Sequence, residues 1–455
     1  MEAIVTTETI VGLTEFIKIA KQDPKAEVEC KLLSGKIQTK DVADRILNSI
    51  LTLSVGLQTE EHRLSISYPD STRVVIYEPQ NIHKLCLNNT FKEVPLSVEK
   101  KSRYFEGSLG KKDILDVTDG SMRFTLRSEV DVRKDWEGNP SDPKAHVRMI
   151  HRKSFTTSDE LFRIDFSMVK SRGVNSRMTI RDILRQPHTY ELEIEFINRK
   201  TTVSNELVVQ ELIRLTTVLS QAFYQSPFLL KVSDIQRYQQ EFKTSGHVFF
   251  NPVTMVRRHL NLDNPHNIGK GYTVTNKADG ERSGLYVARD RKVLRVTSNM
   301  QITWTGVTAI DDSHSNDFVD GEYIQDKQLF CIFDIYRLRN RDTRSLPLIK
   351  SDEDTLKTPL NSRLGCAKLF VEDMRTQFVT LPSMTPLRVE TKLFLAGDGA
   401  SMEDAIKTML ETQFEYQTDG LIFTPRISGV APPDDRKGRT WNLSLIHISE
   451  PTRPY

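Results

Sequence analysis

Several things are scarce in this chain of 455 residues. Only four cysteines occur, Cys30, Cys86, Cys331 and Cys366, far apart and without C-x-x-C spacing, which excludes a disulfide framework and a cysteine-built zinc site. No apolar run approaches the roughly 18 residues of a membrane helix, and the N-terminus has no signal-peptide pattern. These absences lead us to expect a reducing, cytoplasmic compartment and no membrane partner. Charge of one sign is missing too. Lys and Arg number 63 against 61 Asp and Glu, a net of +2, so any basic surface must be local. Low-complexity segments and internal repeats are absent. What remains is ordinary globular composition, 38% hydrophobic and 27% charged, with length for two or three domains at about 150 residues each.

The first half reads as strands bracketed by helices. Ile10, Val11, Leu13, Phe16, Ile17 and Ala20 form a helical stripe. Thr39 reads as the N-cap of a helix bearing Val42, Ile46, Leu47, Ile50 and Leu51. Between them, EVECK alternates, so Glu27, Glu29 and Lys31 share one strand face. From 61 to 170 short strands carry bases: Arg73, then Arg123 and Arg127, then Arg148 and Arg152, then Arg163 with Asp165 and Ser167, closed by Lys170. Glu191, Glu193 and Glu195 follow, alternating with Leu192, Ile194 and Phe196. Any one of these strands can be a sheet with a solvated face. Together their charges sort by sign, acids on two strands and bases on the others, which fits antiparallel strands closed into a barrel with an ionic interior. Clustered carboxylates repel unless a cation joins them, and hard oxygen donors suit Mg²⁺ or Mn²⁺. Facing arginines suit phosphate oxygens. Ser204 then caps a helix with Leu207, Val208, Leu212, Leu215, Leu219 and Phe223, and a domain junction falls near 225–245.

The second half is organised around residues 275–282, TNKADGER. Apolar alternation on both sides of Asp279-Gly280 predicts a strand, a tight turn and a returning strand, with Lys277 projecting into whatever cleft the turn borders. Such a lysine is a nucleophile where burial, a neighbouring cation or a metal frees its amine, and otherwise an exposed hairpin lysine. Asp320-Gly321-Glu322 is expected to end a turn. LFCIFDIYRL (329–338) alternates, with Phe330, Ile332 and Asp334 on one face and Cys331, Phe333 and Ile335 on the other. Ser401 and Asp404 frame a capping arrangement for a helix over 402–412, and TDGLIF follows at 418–423.

KADGER resembles motif I of the covalent nucleotidyltransferases, the mRNA guanylyltransferases and polynucleotide ligases. DGE, LFCIFDIYRL and TDGLIF follow in order and resemble motifs III, IIIa and IV, the last in its guanylyltransferase form. The resemblance implies that Lys277 attacks the α-phosphate of a nucleoside triphosphate and that Arg282 contacts ribose or phosphate. It also implies Glu322 at the ribose or a metal, Phe333 stacked on the purine, Ile422 as the other wall and Asp419 as a metal-linked carboxylate. E-x-E-x-K at 27–31 with ELEIE at 191–195 resembles the triphosphate tunnel metalloenzymes, which include RNA triphosphatases. That resemblance implies Mg²⁺ or Mn²⁺ held by Glu27, Glu29, Glu191, Glu193 and Glu195, with Glu193 or Glu195 also orienting the attacking water. Lys31, Arg152, Arg163 and Lys170 would grip the triphosphate, with Arg73, Arg123, Arg127 and Arg148 as weaker matches.

The order of the two halves resembles the mRNA-capping enzymes of large cytoplasmic DNA viruses, some of which carry a cap methyltransferase further on. The fold expected is α+β, an eight-stranded antiparallel β tunnel followed by a nucleotidyltransferase domain of antiparallel sheets with flanking helices. The expected domains are an RNA 5′-triphosphatase over 1–230 and a guanylyltransferase over 245–442, taking 5′-triphosphate RNA and GTP, in a viral factory or virion. Residues 443–455, LSLIHISEPTRPY, look like a translated sequencing adapter and not a folded segment. The natural chain is therefore expected to continue past Asn442, where the family places a lysine-bearing motif V and an OB-fold lid. Two rivals stand beside this reading. An ATP-dependent polynucleotide or RNA ligase shares K-x-D-G, but TDGLIF and the upstream glutamates argue against it. A non-catalytic RNA-binding scaffold is opposed by the intact carboxylate triplets.

Overall fold

A computed structural model describes residues 4–105, 112–131, 138–142, 144–173, 179–250, 253–261, 263–264, 267–350, 358–381, 387–430 and 446–449. The chain divides into two units, Met1–Val232 and Ser233–Tyr455.

The first unit runs α1 (Thr7–Gln22), β1 (Ala26–Leu32), α2 (Lys40–Leu53), β2 (Ser54–Ser67), β3 (Thr72–Tyr77), α3 (Pro79–Asn88), β4 (Ser97–Arg103) and β5 (Ile114–Val117). It continues with β6 (Met122–Asp131), β7 (His146–Thr157), β8 (Phe162–Arg172), α4 (Ile180–Ile183), β9 (Thr189–Phe196) and α5 (Asn205–Tyr224). Thr39 and Ser204 cap α2 and α5 as their sequences predict, accepting from Val42 N and Leu207 N. The strands neighbour one another in the order β1-β9-β8-β7-β2-β3-β4-β6, and β6 returns to β1, so eight antiparallel strands close; β5 flanks β6. The closure follows from which face is apolar. Val28, Cys30, Ile164, Leu192 and Ile194 point outward and pack under Leu13 and Phe16 of α1, Ile46 and Ile50 of α2, and Leu212 and Leu215 of α5. On the other side, Leu64, Ile66, Val74 and Ile76 meet Ile82 and Leu85 of α3 and Ile183 of α4. Each such side chain removed from water stabilises by about 1.5–3 kcal/mol, and a one-residue slip would turn the whole apolar set inward. With the outside apolar, the alternate residues have only the interior to face.

The second unit begins with α6 (Val232–Thr244), which the sequence places between the domains. It docks through Glu241, whose buried carboxylate accepts from Tyr286 Oη at 2.8 Å and Arg289 N at 2.7 Å. Then come β10 (Val253–Thr254), β11 (Tyr272–Ala278), β12 (Glu281–Val287), β13 (Lys292–Thr297), β14 (Ile302–Ala309), β15 (Phe318–Ile324), β16 (Leu329–Leu338) and β17 (Arg341–Asp342). The rest is α7 (Arg363–Thr376), β18 (Phe378–Thr380), β19 (Arg388–Thr391), β20 (Leu395–Gly397), α8 (Ala400–Glu411), β21 (Thr418–Pro425) and β22 (Ile446–Ser449). These strands make two sheets, β10-β22-β21-β11-β20 and β17-β16-β15-β12-β13-β14-β18, with β19 joining β16.

Four local expectations are corrected here. Asp279-Gly280 does not close a hairpin: β11 pairs with β20 and β21, whereas β12 pairs with β13 and β15, so the turn carries the chain from one sheet to the other. Glycine is needed at 280 because a Cβ there would lie 2.9 Å from Tyr323 O and Glu322 Cγ. Asp320-Gly321-Glu322 lies inside β15 and not at a turn, and a Cβ on Gly321 would lie 2.5 Å from the Phe330 ring. In β16 the strict alternation fails, because Gly321 faces Ile332 while Asp320 faces Asp334, leaving Phe333 as the extra residue of a bulge. Phe330, Ile332, Ile335 and Leu338 consequently share one core with Leu285 and Phe370. Finally, α8 starts at Ala400 behind Gly399, and Ser401 instead accepts from Asp398 N. Within the adapter-like tail, β22 pairs antiparallel with β21, whose edge offers unpaired backbone groups to an extended segment.

His247 is buried between Phe318, Phe242 and Tyr286, with ring centroids 4.8, 5.3 and 5.5 Å away, and its Nε2 has no hydrogen-bond partner. Burial, aided by the charges of Arg337 and Arg344, pushes its imidazole down from 6.5 to about 4. The unfolded chain takes up this proton first. Stability from His247 is therefore complete above pH ~6.5 and lost as pH falls toward ~4. Melting curves should show the parent losing more stability than His247→Phe across that window; equal losses would contradict this assignment.

Candidate active sites in the two units

The interior of the barrel is a cavity of about 560 Å³. Nine Lys and Arg side chains line it against six Glu, so its walls favour a polyanion. On β1 and β9, Glu29 lies directly across from Glu195 and Lys31 across from Glu193. Like charges placed opposite one another are destabilising unless other groups compensate. Lys31 Nζ reaches Glu193 at 3.0 Å, and Arg152 spans Glu193 at 3.1 Å and the buried Asp165 at 2.7 Å. Arg163 joins Asp165 at 3.0 Å to Glu195 at 2.6 Å. Burial works to raise Glu193, but Lys31 and Arg152 outweigh it and hold that carboxyl well below its usual range. Glu195 goes the other way, to about 7, because burial and the charges of Glu27 and Glu29 exceed the pull of Arg163. Glu27 is raised as well, by burial and by the neighbouring Glu129.

The interior face thus gathers Glu27, Glu29, Glu193 and Glu195 with Lys31, Arg152 and Arg163, and with Arg73, Arg123, Arg127 and Arg148. Glu191 has the same parity on β9, and its carboxylate is engaged by Arg148. Lys170 is a correction. It stands opposite Met149 on the outer face of β8 and donates to Leu184 O at 2.6 Å, because 170 has the parity of Ile164 and Phe166 and not of Arg163. Sequence reasoning missed Arg63, Glu99, Lys101 and Glu129. Arg63 was legible, since Arg63, Ser65 and Ser67 alternate with Leu64 and Ile66. β4 was not, because SVEKKSR has charges at 99, 100, 101 and 103 and little apolar alternation.

Among the described residues no three carboxylate, imidazole or thiol side chains are gathered as the ligands of one ion. Lys101 sits among the acids instead, at 2.9 Å from Glu27 and 2.6 Å from Glu29. In chemistry the set still fits a hard divalent cation. It offers carboxylate oxygens alone, and burial together with neighbouring carboxylates lifts Glu27 and Glu195.

In the second unit, Lys277 near the end of β11 contacts the Asp419 carboxylate at the start of β21. Glu322 of β15 faces the same place, and burial raises its carboxyl despite Lys392 and Lys277. Lys392, which sequence reasoning missed, is buried, with Nζ 3.2 Å from Glu322 and 3.3 Å from Asn276 O. A lysine is rarely so buried unless paired, and within RVETKLF, where charged and apolar residues mix, no sequence signal marks it. Phe333 and Ile422 pack in one cluster with Phe394, and the Lys392 ammonium lies 5.6 Å from the Phe333 ring centroid. Phe333 lies on the face of β16 opposite Phe330 and Ile332, as alternation places it, and the bulge beside it returns Ile335 to their side. Arg282 is turned to the buried Asp320 at 2.8 Å and to Phe250 O at 2.5 Å. A lysine, two carboxylates and a buried second cation converge here, a set with the charges to hold a phosphate and an amine beside it.

No family model matches the chain, and no curated protein sequence matches it. Among solved structures, the capping enzyme triphosphatase of mimivirus is 18% identical over 48% of this chain and 100% of its own, with a TM-score of 0.37. The Pct1 RNA triphosphatase of S. pombe is 15% identical over 48% of this chain and 94% of its own, with a TM-score of 0.32. At these identities and scores neither likeness bears on function. No helix among the described residues is long and apolar enough to cross a membrane.

The placement of the bases predicts their worth. Arg152→Ala should weaken binding of inorganic tripolyphosphate about tenfold or more, since it removes a guanidinium from the cavity wall. Lys170→Ala should leave that affinity within about twofold, because Lys170 lies outside the cavity wall, its ammonium on a backbone carbonyl. Titration calorimetry at fixed ionic strength checks both, and a comparable loss in Lys170→Ala would refute the placement.

Proposed function

We propose that the chain caps RNA 5′ ends in two steps: the barrel removes the γ-phosphate of 5′-triphosphate RNA, and the second unit transfers GMP from GTP to the resulting diphosphate end. The carrying observation is the closed antiparallel barrel, whose interior sets Glu27, Glu29 and Glu195 on one wall and guanidiniums on the facing strands. The motif order from KADGER to TDGLIF supports the second step.

In the barrel, Arg63, Arg73, Arg127 and Arg152 would take the equatorial and bridging phosphate oxygens by charge-assisted hydrogen bonds. Glu27, Glu29 and Glu195 would hold Mg²⁺ or Mn²⁺, which supplies Lewis-acid polarisation of the phosphoryl group when bound. Glu193, kept ionised by Lys31 and Arg152, would accept a hydrogen bond from the attacking water and aim its oxygen at the γ-phosphorus. Water adds at that phosphorus, the bond to the β-bridging oxygen breaks, and diphosphate RNA and inorganic phosphate separate.

In the second unit, the Lys277 amine would attack the α-phosphorus of GTP after giving its proton up, with Asp419 as the neighbouring acceptor. Pyrophosphate leaves with the bonding pair, and the phosphoramidate is then attacked by the terminal phosphate oxygen of the RNA. Phe333 and Ile422 would border the guanine, and Glu322 and Arg282 would position ribose and phosphate. A cap methyltransferase, as a further domain or a separate subunit, would take the product in the cytoplasm.

Two labels test this. With γ-labelled triphosphate RNA, Glu193→Ala and Glu29→Ala should each slow phosphate release by about 10²-fold or more, and chelation of divalent cations should stop it. With α-labelled nucleotide, the parent should acquire a covalent label from GTP that Lys277→Ala lacks. Label from ATP alone would instead identify a ligase, and full phosphate release by Glu193→Ala would leave a scaffold.

A further inference from the structure

The barrel's carboxylates already have a cation. The Lys101 ammonium lies 2.6 Å from Glu29, 2.9 Å from Glu27 and 3.5 Å from Glu129, on a side chain only 20% exposed. Lys101 belongs to β4 and stands opposite Glu129 on β6, yet its stem crosses β6 to reach the two glutamates of β1. One ammonium thus bridges two of the acids to which the proposed reaction assigns a divalent cation. Lys101 engages Glu27 Oε2 and Glu29 Oε1, so a divalent cation held by the same two carboxylates would compete with it there.

We propose that Lys101 is a tethered counter-cation that a divalent cation must displace, so that it sets the metal affinity of the barrel and couples metal binding to phosphate binding. This rests on Glu27, Glu29 and Glu195 holding the divalent cation, as proposed above. Before displacement, Lys101 screens the repulsion within the acidic wall. After displacement, its ammonium draws back across β6 toward Glu129, beside Arg73, which itself lies 3.0 Å from Glu129. There the ammonium adds one positive charge to the phosphate-gripping wall. Each ligand then favours the other: metal frees Lys101 for the polyphosphate, and polyphosphate withdraws Lys101 from the acids, as linkage requires.

The test is Mn²⁺ binding by the full chain, followed by electron paramagnetic resonance without RNA or nucleotide, with Glu29→Gln added in each background to isolate the barrel site. Lys101→Met should bind Mn²⁺ at that site roughly tenfold or more tightly than the parent, because a like charge beside the site is gone. Without added metal its melting temperature should fall, and the gain on adding Mn²⁺ should exceed the parent's. Should Lys101→Met fail to fold, Lys101→Gln in a Glu27→Gln background relieves the repulsion and should still bind Mn²⁺ more tightly than Glu27→Gln alone. Lys101→Arg keeps the charge and should bind no more tightly than the parent. If the parent binds Mn²⁺ in a Glu29-dependent way and removal of the Lys101 charge does not tighten it, the counter-cation role is wrong while the metal site stands. If no variant shows Glu29-dependent Mn²⁺, the metal site itself is wrong and the role falls with it.

Discussion

Repulsion among carboxylates that cannot leave each other governs the first unit. Glu27 and Glu29 are fixed on β1 and Glu195 on β9 by strand register, and the apolar residues between them are buried under α1, α2 and α5. Moving the acids apart would mean slipping a strand, which turns Val28, Cys30 and Ile194 into the cavity. The fold therefore holds the acids together and compensates them with cations from other strands, Lys101 from β4 and Arg163 from β8. Closure into a barrel makes this possible, since a closed sheet has an inside where acids and bases from non-adjacent strands meet. It also has no edge through which the pairing could open. Half-buried ion pairs of this kind add little net stability, because desolvation offsets most of the attraction. Their consequence is a charged cavity whose shape is determined by hydrophobic packing outside it.

The second unit solves a different problem, bringing a lysine on one sheet beside a carboxylate of another. Lys277 and Asp419 come from the sheet containing β11 and β21, whereas Glu322 and Phe333 come from β15 and β16. The chain passes between the sheets at Asp279-Gly280, where the absence of a side chain at 280 lets the backbone lie against β15. A residue with a Cβ there would push Glu322 away from Lys392 and Lys277. In this sense the glycine of KADGER serves inter-sheet contact, where a hairpin would have used it for turn geometry.

Much of this was legible. Helix starts at Thr39 and Ser204 depend on side chains bonding their own backbone three residues on, which is local chemistry. Alternation in EVECK and ELEIEF likewise depends on nothing beyond the strand. The failures share another cause. The resemblance sets Lys170 beside Arg163 as a phosphate grip, whereas its parity on β8 points it outward to Leu184 O. The side of Ile335 could not be read, because the bulge that returns it to the face of Phe330 and Ile332 arises where β16 meets β15. Lys101 was passed over because β4 is charged on both faces, and its role depends on Glu27 and Glu29, more than seventy residues earlier in the chain.

By itself, the amino-acid sequence determined which residues alternate, where several helices begin, and that acids and bases occupy separate strands, because these properties follow from backbone geometry within a few residues. Only the tertiary structure decided which strands become neighbours, that the sheet closes on itself, and which cation faces which acid. Those pairings join residues far apart in the chain, and burial of apolar surface, indifferent to the identity of the charges it encloses, selects among them.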